Sequence, residues 1–400
     1  MWSGFFETIQ NEIVSWSIPA FIGYCFGELV QLFKRRKRKN TIQILKTDLK
    51  GYENKIPPVI DVFDHAAPEY DSRDITLKKH NLNFFLGFEN KLSQQLREYG
   101  FPLKDEVVFR RGWDLNTLEV KLGIKGLANL IEKKKQAVAQ SILDKRLSGL
   151  ERHNSRMYGL YLSGVNRSEG IEADTLKFEF YISDYYTHLV MQAVQRELVQ
   201  TGFEFERPNK AEDLAKYYPL TAAFGICCHV LLNKGDGPEV VVCKRKSDLD
   251  VYADRWHTSV GEAFSLGDAM EKNVMVEPSL DNALYKGLNE ELRIKDDRIS
   301  GYGFTEYWFD SEVFQVGVLA YACLELTSDF TYEMFKRDAM TSKDSTIEFQ
   351  DIDTILLENI EEEIHKKEKK FTATCEAGLL FLATRYRAGE LPVELLSTSP

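Results

Sequence analysis

The sequence predicts an α/β protein, because strand-like and helix-like segments alternate through its second half. Phe224–Leu232 is a largely apolar run, and Glu239–Arg245 is a second one. The turn-forming residues Asn233–Gly237 lie between them. This order is typical of a β-hairpin. Further along the chain, leucines recur every four residues, as expected for the buried face of a helix.

That helix is predicted over Ser279–Arg293. The hydroxyl of Ser279 can accept a hydrogen bond from a free backbone N–H of the first turn. Leu284, Leu288 and Leu292 follow at four-residue spacing and form one stripe along the helix. We therefore expect these three leucines to pack the helix against a sheet.

A second face of the same helix carries carboxylates. Gly287, Glu290 and Glu291 stand at positions i, i+3 and i+4, so they share a face next to the leucine stripe. The loop around Gly261 precedes the helix in the chain. Two adjacent carboxylates beside such a loop form an oxygen-rich site that suits a hard divalent cation. The alternative is that Glu290 and Glu291 form only a solvated helix surface.

The remaining elements complete this order. Phe314–Cys323 reads as a buried strand, Glu348 stands in a loop, and a last helix begins near Thr372. In the first half, Leu176–Ile182 alternates polar and apolar residues as a strand does, and a helix follows with Ser183 as its expected cap. The stretch 82–149 is largely helix-like.

Length and charge limit the function classes. The chain has 400 residues, which at roughly 100–200 residues per domain predicts two or three folded units. Its net charge of -11 argues against coating nucleic-acid phosphates, so no nucleic-acid partner is expected. The six cysteines lack paired C-x-x-C spacing, which excludes a zinc ribbon, and we expect them to be reduced and buried.

The N-terminal segment predicts a membrane anchor. Ile13–Phe33 is a 21-residue, mainly apolar stretch, long enough for about 31 Å of helix. Six basic residues, Lys34–Lys39, follow it directly and would hold that end in the cytoplasm. The prediction is a single-pass membrane protein with its body in the cytoplasm. The alternative is an amphipathic helix that lies on the membrane or packs against the protein.

The predicted organisation has four parts. Residues 1–39 are the membrane helix and its basic flank, and residues 40–213 are an α-rich or mixed region of unknown role. Residues 214–390 form the α/β domain, and residues 391–400 are a tail. The polar stretch Glu204–Asp213, which contains a proline, is the best candidate for the boundary between the two folded parts.

Residues 217–388 resemble a Nudix domain. The family's box is G-x5-E-x7-R-E-U-x-E-E-x-G-U, and the stretch Lys286–Ile294 aligns with its second half. Four positions match, and three depart from the pattern. Lys286 replaces the arginine, Gly287 replaces the first glutamate, and Arg293 replaces the glycine. The resemblance implies an α/β/α sandwich with a mixed sheet.

The resemblance also implies a chemistry. In this family, helical glutamates hold magnesium or manganese against a diphosphate, and the metal activates a water that attacks phosphorus. Glu290, Glu291 and Glu348 would be the metal ligands here, with Glu291 and Glu348 as the catalytic pair. The implied substrate-binding residues are Gly261, Glu262, Lys244, Arg245 and Lys286. A Gly287→Glu substitution would be expected to restore the missing ligand.

Two function classes follow. The first is a membrane-tethered Nudix-type hydrolase that cleaves a diphosphate linkage in a nucleoside diphosphate derivative with a divalent metal. The second is a weakened Nudix fold that binds a nucleotide and signals to the membrane segment without turnover. Glu290, Glu291 and Glu348 favour the enzyme, whereas Gly287, Arg293 and the transmembrane candidate favour the binding module. The sequence favours the hydrolase and keeps the binding module as the alternative. It leaves open the formation of a homo-oligomer.

Overall fold

A computed structural model provides the fold of most of the chain. It describes residues 55–70, 75–108, 115–149, 153–166, 175–247, 249, 252–265, 278–341, 348–393 and 396.

The localisation prediction is contradicted. Among the described residues, no helix has both the length and the apolar composition that crossing a bilayer requires. The segment predicted as the anchor, Ile13–Phe33, and its basic flank lie outside the described residues. The assignment as a single-pass membrane protein is therefore not carried further.

Strands and helices alternate through the described residues. The strands are, in chain order, β1 (Ile60–Tyr70), β2 (Ile75–Leu86), β3 (Asp105–Val108), β4 (Arg156–Asn166), β5 (Thr175–Asp184), β6 (Phe224–Asn233), β7 (Pro238–Arg245), β8 (Trp256–His257), β9 (Val260–Ala263), β10 (Ile299–Asp310), β11 (Gln315–Leu324) and β12 (Phe349–Leu356). The α-helices are α1 (Lys91–Glu98), α2 (Leu115–Leu122), α3 (Leu127–Leu147), α4 (Tyr185–Gln200), α5 (Leu280–Leu292), α6 (Tyr332–Met340), α7 (Ile360–Lys366) and α8 (Ala373–Arg387). The mixed α/β class is confirmed.

The larger sheet is built around a parallel pair. Its strand order is β1-β10-β11-β6-β7-β12, with β8 beside β7 and β9 beside β6. Strands β6 and β11 run parallel, with Phe224 opposite Val316, and their neighbours are antiparallel. Nearly every residue of β6 and β11 is buried, as is typical of strands covered on both faces. The predicted hairpin is confirmed as the antiparallel pair β6–β7.

Helices cover both faces of this sheet. Alternate residues of a strand point to opposite faces. Val241 and Cys243 share one hydrophobic cluster with Leu284, Leu288 and Leu292 of α5. The intervening strand residues belong to a second cluster, with side chains of α8. The leucine stripe is thus buried as the sequence predicts, and the two helices sandwich the sheet.

The smaller sheet shares its core with the larger one. Its strand order is β3-β2-β5-β4, with β2 and β5 parallel. The rings of Phe178 and Phe224 lie 5.0 Å apart, and those of Phe180 and Phe264 lie 5.3 Å apart. These contacts join the sheets across the predicted boundary at 204–213. Strand β1 also crosses that boundary, because it pairs with β10. The division into domains stays a prediction.

Two local expectations in the first half are wrong. Residues 82–86 form the end of β2 and not a helix, because they pair with β3 and reach β5. The cap of α4 is Asp184, whose carboxylate accepts a hydrogen bond from the N–H of Thr187 at 2.8 Å. The Ser183 hydroxyl turns away and donates to the carbonyl of Phe84 at 3.2 Å.

We predict that Leu288→Asp unfolds the part of the chain built on the larger sheet. Leu288 is fully buried, and an unpaired carboxylate there costs several kcal/mol. Asn289→Asp is the matched control, because Asn289 is exposed on the same helix. Thermal melting of the three proteins is the measurement. Equal melting temperatures for Leu288→Asp and the parent would contradict the assigned helix face.

Candidate functional site

Helix α5 has a side-chain cap at its N-terminus and a left-handed residue at its C-terminus. The Ser279 hydroxyl accepts a hydrogen bond from the N–H of Asn282 at 3.2 Å, which confirms the predicted cap. The helix ends at Arg293, whose φ is 58°, in the left-handed region. That conformation costs a residue with a Cβ roughly 1–2 kcal/mol and is the usual place for glycine. The departure at Arg293 therefore affects backbone energy, and not the carboxylate face.

Helix α5 packs tightly against β9 at Gly287. A Cβ at this position would lie 2.6 Å from Cγ1 of Val260 and 2.9 Å from Cβ of Glu262. Neither contact is possible without a shift of the helix or the strand. A carboxylate does not fit at position 287, so the geometry argues against Gly287→Glu as a way to restore a metal ligand.

Glu291 is the buried carboxylate of the site. Its residue is 7% exposed, and the N–H of Gly261 lies 3.3 Å and 3.4 Å from its two oxygens. Burial raises the pKa of Glu291 well above its ordinary value, and the nearby Glu348 and Glu262 raise it further. The Gly261 N–H and Arg245 act in the opposite direction. Glu291 therefore holds a proton more strongly than an exposed glutamate does.

Lys286 bridges two carboxylates. Its ammonium donates to Oε1 of Glu262 at 2.7 Å and to the hydroxyl of Ser265 at 3.0 Å, and it lies 3.4 Å from Oε2 of Glu290. Burial opposes the charge on Lys286, but the two carboxylates outweigh it and raise its pKa. Burial also raises the pKa of Glu262, although Lys286 works against that shift.

Glu348 and Arg245 form the opposite side of the site. Phe349 pairs with Arg245 across β12 and β7, which places Glu348 at the strand end. Nη1 of Arg245 lies 3.8 Å from Oε2 of Glu348. The Nε of Arg245 is buried and has no hydrogen-bond partner among the described residues. The fold thus brings Glu291, Glu262, Glu348 and Arg245 together.

Two further residues lie at the edge of this group. Lys244 pairs with Asp254 at 3.0 Å, so its charge already has a partner. His257 is partly buried, with Nδ1 2.8 Å from the Thr372 hydroxyl and Nε2 beside Gly261. Burial, together with Arg245, holds the pKa of His257 well below its usual value, so the ring is neutral. His257 is a packing residue of the site floor.

The predicted metal ligands differ in their exposure to solvent. Among the described residues, no group of three or more His, Cys, Asp or Glu side chains is arranged to hold a metal ion. Glu290 faces outward, with its side chain 44% exposed, whereas Glu291 is buried. A magnesium or manganese site at Glu290, Glu291 and Glu348 stays a prediction. The bridging role of Lys286 was not predicted, because Glu262 and Glu290 meet it only after folding.

Comparisons with known proteins add little to this geometry. No protein-family model matches the chain, and no curated protein matches it. Among solved structures, DR0079 from Deinococcus radiodurans is similar with a TM-score of 0.27 and 12% identity, over 39% of this chain and 80% of that one. A mutT/nudix family protein from Listeria innocua has a TM-score of 0.25 and 13% identity, over 42% of this chain and 95% of that one.

A third similar structure is NrtR from Shewanella oneidensis, in complex with a 27mer DNA. Its TM-score is 0.25 and its identity 11%, over 41% of this chain and 61% of that one. The solved structures similar to this chain thus include a mutT/nudix family protein. At such low TM-scores these similarities carry no argument about fold or activity. The Nudix resemblance therefore rests on the chain's own residues.

We predict that Gly287→Ala lowers stability by about 1–3 kcal/mol, the usual cost of overpacking. Inside a helix, alanine is otherwise about 1 kcal/mol more favourable than glycine. A loss of stability would therefore report the steric contact with Val260 and Glu262. Urea unfolding measures the change. Asn289→Ala, at an exposed position of the same helix, is the control and is expected to be neutral or stabilising. A Gly287→Ala protein as stable as the parent would show that α5 and β9 are further apart.

We predict that Glu291→Gln stabilises the protein at pH 8 but not near pH 4.5. Because the pKa of Glu291 is raised in the folded state, ionisation opposes folding as pH rises above the unfolded-state value. Glutamine carries no charge, and its oxygen can still accept from Gly261.

Melting temperatures across this pH range test the prediction. Glu290→Gln, which removes the neighbouring, more exposed carboxylate, is the matched control and is expected to lack the gain at pH 8. A difference between Glu291→Gln and the parent that does not change with pH would contradict the raised pKa.

Proposed function

We propose that residues 217–388 are a Nudix-like binding module that recognises a nucleoside diphosphate derivative without hydrolysing it. One observation carries this proposal. The ammonium of Lys286 lies between Glu262 and Glu290, where a divalent cation would need free carboxylates. A lysine has three donors and no acceptor, so it donates to these oxygens in place of a metal and cannot activate a water.

The energetics of the lysine bridge support binding without a metal. A hard divalent cation needs several charged oxygens in its shell. Lys286 is 36% exposed and is stabilised by both carboxylates, so a metal would first have to displace a well-paired ammonium. Glu291 adds to this, because burial disfavours the charged form that a metal ligand needs.

Position 287 supports the same conclusion. The family pattern has a glutamate there, but Val260 and Glu262 fill the space in this chain. A change of side-chain rotamer would therefore not make room for a carboxylate at position 287. With one ligand absent and two paired to Lys286, the carboxylate face is suited to a structural role.

Recognition of a phosphate is supported by Arg245. Its guanidinium lies at the end of β7, is 17% exposed, and keeps a buried Nε without a partner among the described residues. The planar fork of an arginine matches two phosphate oxygens at once. The contact with Glu348 is long, at 3.8 Å, so a phosphate could compete for the guanidinium.

The hydrolase is the second candidate, and one feature favours it. Burial raises the pKa of Glu291, and the nearby Glu348 and Glu262 raise it further. A glutamate with a raised pKa is a typical general base near neutral pH. A diphosphate could also bring its own oxygens to a metal shell. Turnover would then require Lys286 to leave Glu262.

A substrate panel separates the two candidates. Full-length protein is mixed with ADP-ribose, a nucleotide sugar and a dinucleoside polyphosphate, in magnesium, in manganese and in EDTA. Calorimetry reports binding, and chromatography reports cleavage. We expect binding that survives EDTA, with no product. Metal-dependent product would overturn the proposal in favour of the hydrolase, and the absence of binding to every compound would reject both candidates.

We predict that Lys286→Gln strengthens Mn²⁺ binding by about tenfold, or about 1.4 kcal/mol, because Glu262 and Glu290 lose their cation. Lys295→Gln is the control, because Lys295 is an exposed lysine just beyond the same helix. Titration followed by electron paramagnetic resonance measures free Mn²⁺. The same affinity in the parent, Lys286→Gln and Lys295→Gln would show that the bridge does not decide metal binding.

A further inference from the structure

A pocket lies on the smaller sheet, and none of its lining residues belongs to the carboxylate site. It has a volume of about 510 Å³ and opens between β2, β4, β5 and the segment that ends at Tyr218. Its lining combines cationic and aromatic side chains with one acid: Lys78, His80, Lys121, Tyr161, Tyr218 and Glu179. The volume lies within the range of sites for small organic molecules.

The pocket has an excess of positive charge. Of the described residues that line it, Glu179 is the only acid. Its carboxylate is buried and already shared, because His80 hydrogen-bonds one oxygen and Lys177 lies 2.5 Å from the other. The two ammonium groups of Lys78 and Lys121 therefore outnumber the one carboxylate in the lining. The pocket favours a negatively charged ligand.

Lys121 is held in a fixed position. Its ammonium donates to the carbonyl of Ala215 at 3.0 Å and to that of Tyr218 at 3.4 Å. The same ammonium lies 3.7 Å from the centre of the Tyr218 ring. Burial lowers the pKa of Lys121 to about 8, so the amine is mostly protonated at pH 7. A preorganised, partly desolvated cation binds an anion more strongly than a mobile surface lysine.

Aromatic rings form the wall between these charges. The rings of His80 and Tyr161 lie 5.0 Å apart, and those of Tyr161 and Tyr218 lie 4.9 Å apart, both edge to face. Tyr161 is only partly buried, so part of its ring faces the pocket. A flat ring of a ligand can pack on this surface in the geometries that aromatic pairs prefer.

We propose that this pocket binds a small molecule in which a planar ring carries one anionic group, a carboxylate or a phosphate. The anion would contact Lys78 and Lys121, and the ring would pack against Tyr161. The proposal does not depend on the function of residues 217–388, since none of these three residues belongs to the carboxylate site.

Calorimetry on the full-length protein tests the proposal with four probes. Adenosine monophosphate carries a phosphate, and 4-hydroxybenzoate carries a carboxylate, on a molecule with a planar ring. Adenosine lacks the anionic group, and inorganic phosphate lacks the ring. We expect at least one of the first pair to bind in a 1:1 complex, at least tenfold more tightly than either of the second pair. Which member binds identifies the anion. Equal binding of inorganic phosphate would reduce the site to a plain anion site and overturn the proposal.

Substitutions of the lining residues test whether the ligand binds in this pocket. Lys121→Met and Tyr161→Leu are each expected to weaken binding at least tenfold. Lys78→Met serves as a second charge variant, on an exposed position, should Lys121→Met not fold. Lys79→Met is the matched control, because it removes the same charge from the next residue of β2, outside the pocket lining. Its affinity is expected to equal that of the parent.

The carboxylate site supplies the final control. Arg245→Met shows whether a probe binds at that site instead, because Arg245 is the phosphate-recognising residue proposed there. If Arg245→Met abolished binding while Lys121→Met and Lys78→Met did not, the ligand would belong to the other site, and the pocket proposal would be wrong.

Discussion

The close contact between α5 and β9 at Gly287 determines the arrangement of the candidate site. Without a Cβ at this position, the side chains of Val260 and Glu262 on β9 reach the helix surface. The same approach brings the N–H of Gly261 to Glu291 and the carboxylate of Glu262 to Lys286. A larger residue at position 287 would separate both pairs, so packing at one glycine sets the electrostatics of the whole face.

On this face of α5, burial and pairing give two similar side chains different electrostatic environments. Glu290 and Glu291 are neighbours in the chain, but one is exposed beside Lys286 and the other is buried under β9. Water stabilises the charge of the first, and the protein interior disfavours the charge of the second. A lysine that bridges two carboxylates offsets part of their charge and occupies the space between them, which is the physical basis for preferring recognition over metal-dependent chemistry.

The two sheets depend on a common aromatic core. Phe178 touches both Phe224 and Tyr307, and so connects the smaller sheet to two strands of the larger one. On the opposite face, the buried pair Arg385–Glu306 joins α8 to β10, with 2.6 Å between Nη2 and Oε1. Because the sheets share this core, a ligand in the pocket on the smaller sheet would bind a surface that is packed directly against the rest of the fold.

The sequence by itself determined the parts that depend on local pattern. The turn between β6 and β7, the cap at Ser279 and the leucine spacing of α5 act within a few residues, so the chain predicts them. It also placed Glu262, Glu291 and Arg245 in one site through resemblance to a family pattern. Strand β10 was not predicted. It is defined by its pairing with other strands, and its own residues give no clear local signal.

Only the tertiary structure decided the roles of Gly287 and Lys286. In the sequence, Gly287 reads as a lost carboxylate, and Lys286 reads as a substrate-binding cation. The fold shows that β9 occupies the space at 287 and that Glu262, 24 residues away, meets Lys286. Contacts between segments this distant depend on how the sheet positions each strand, and no pattern of neighbouring residues encodes that position.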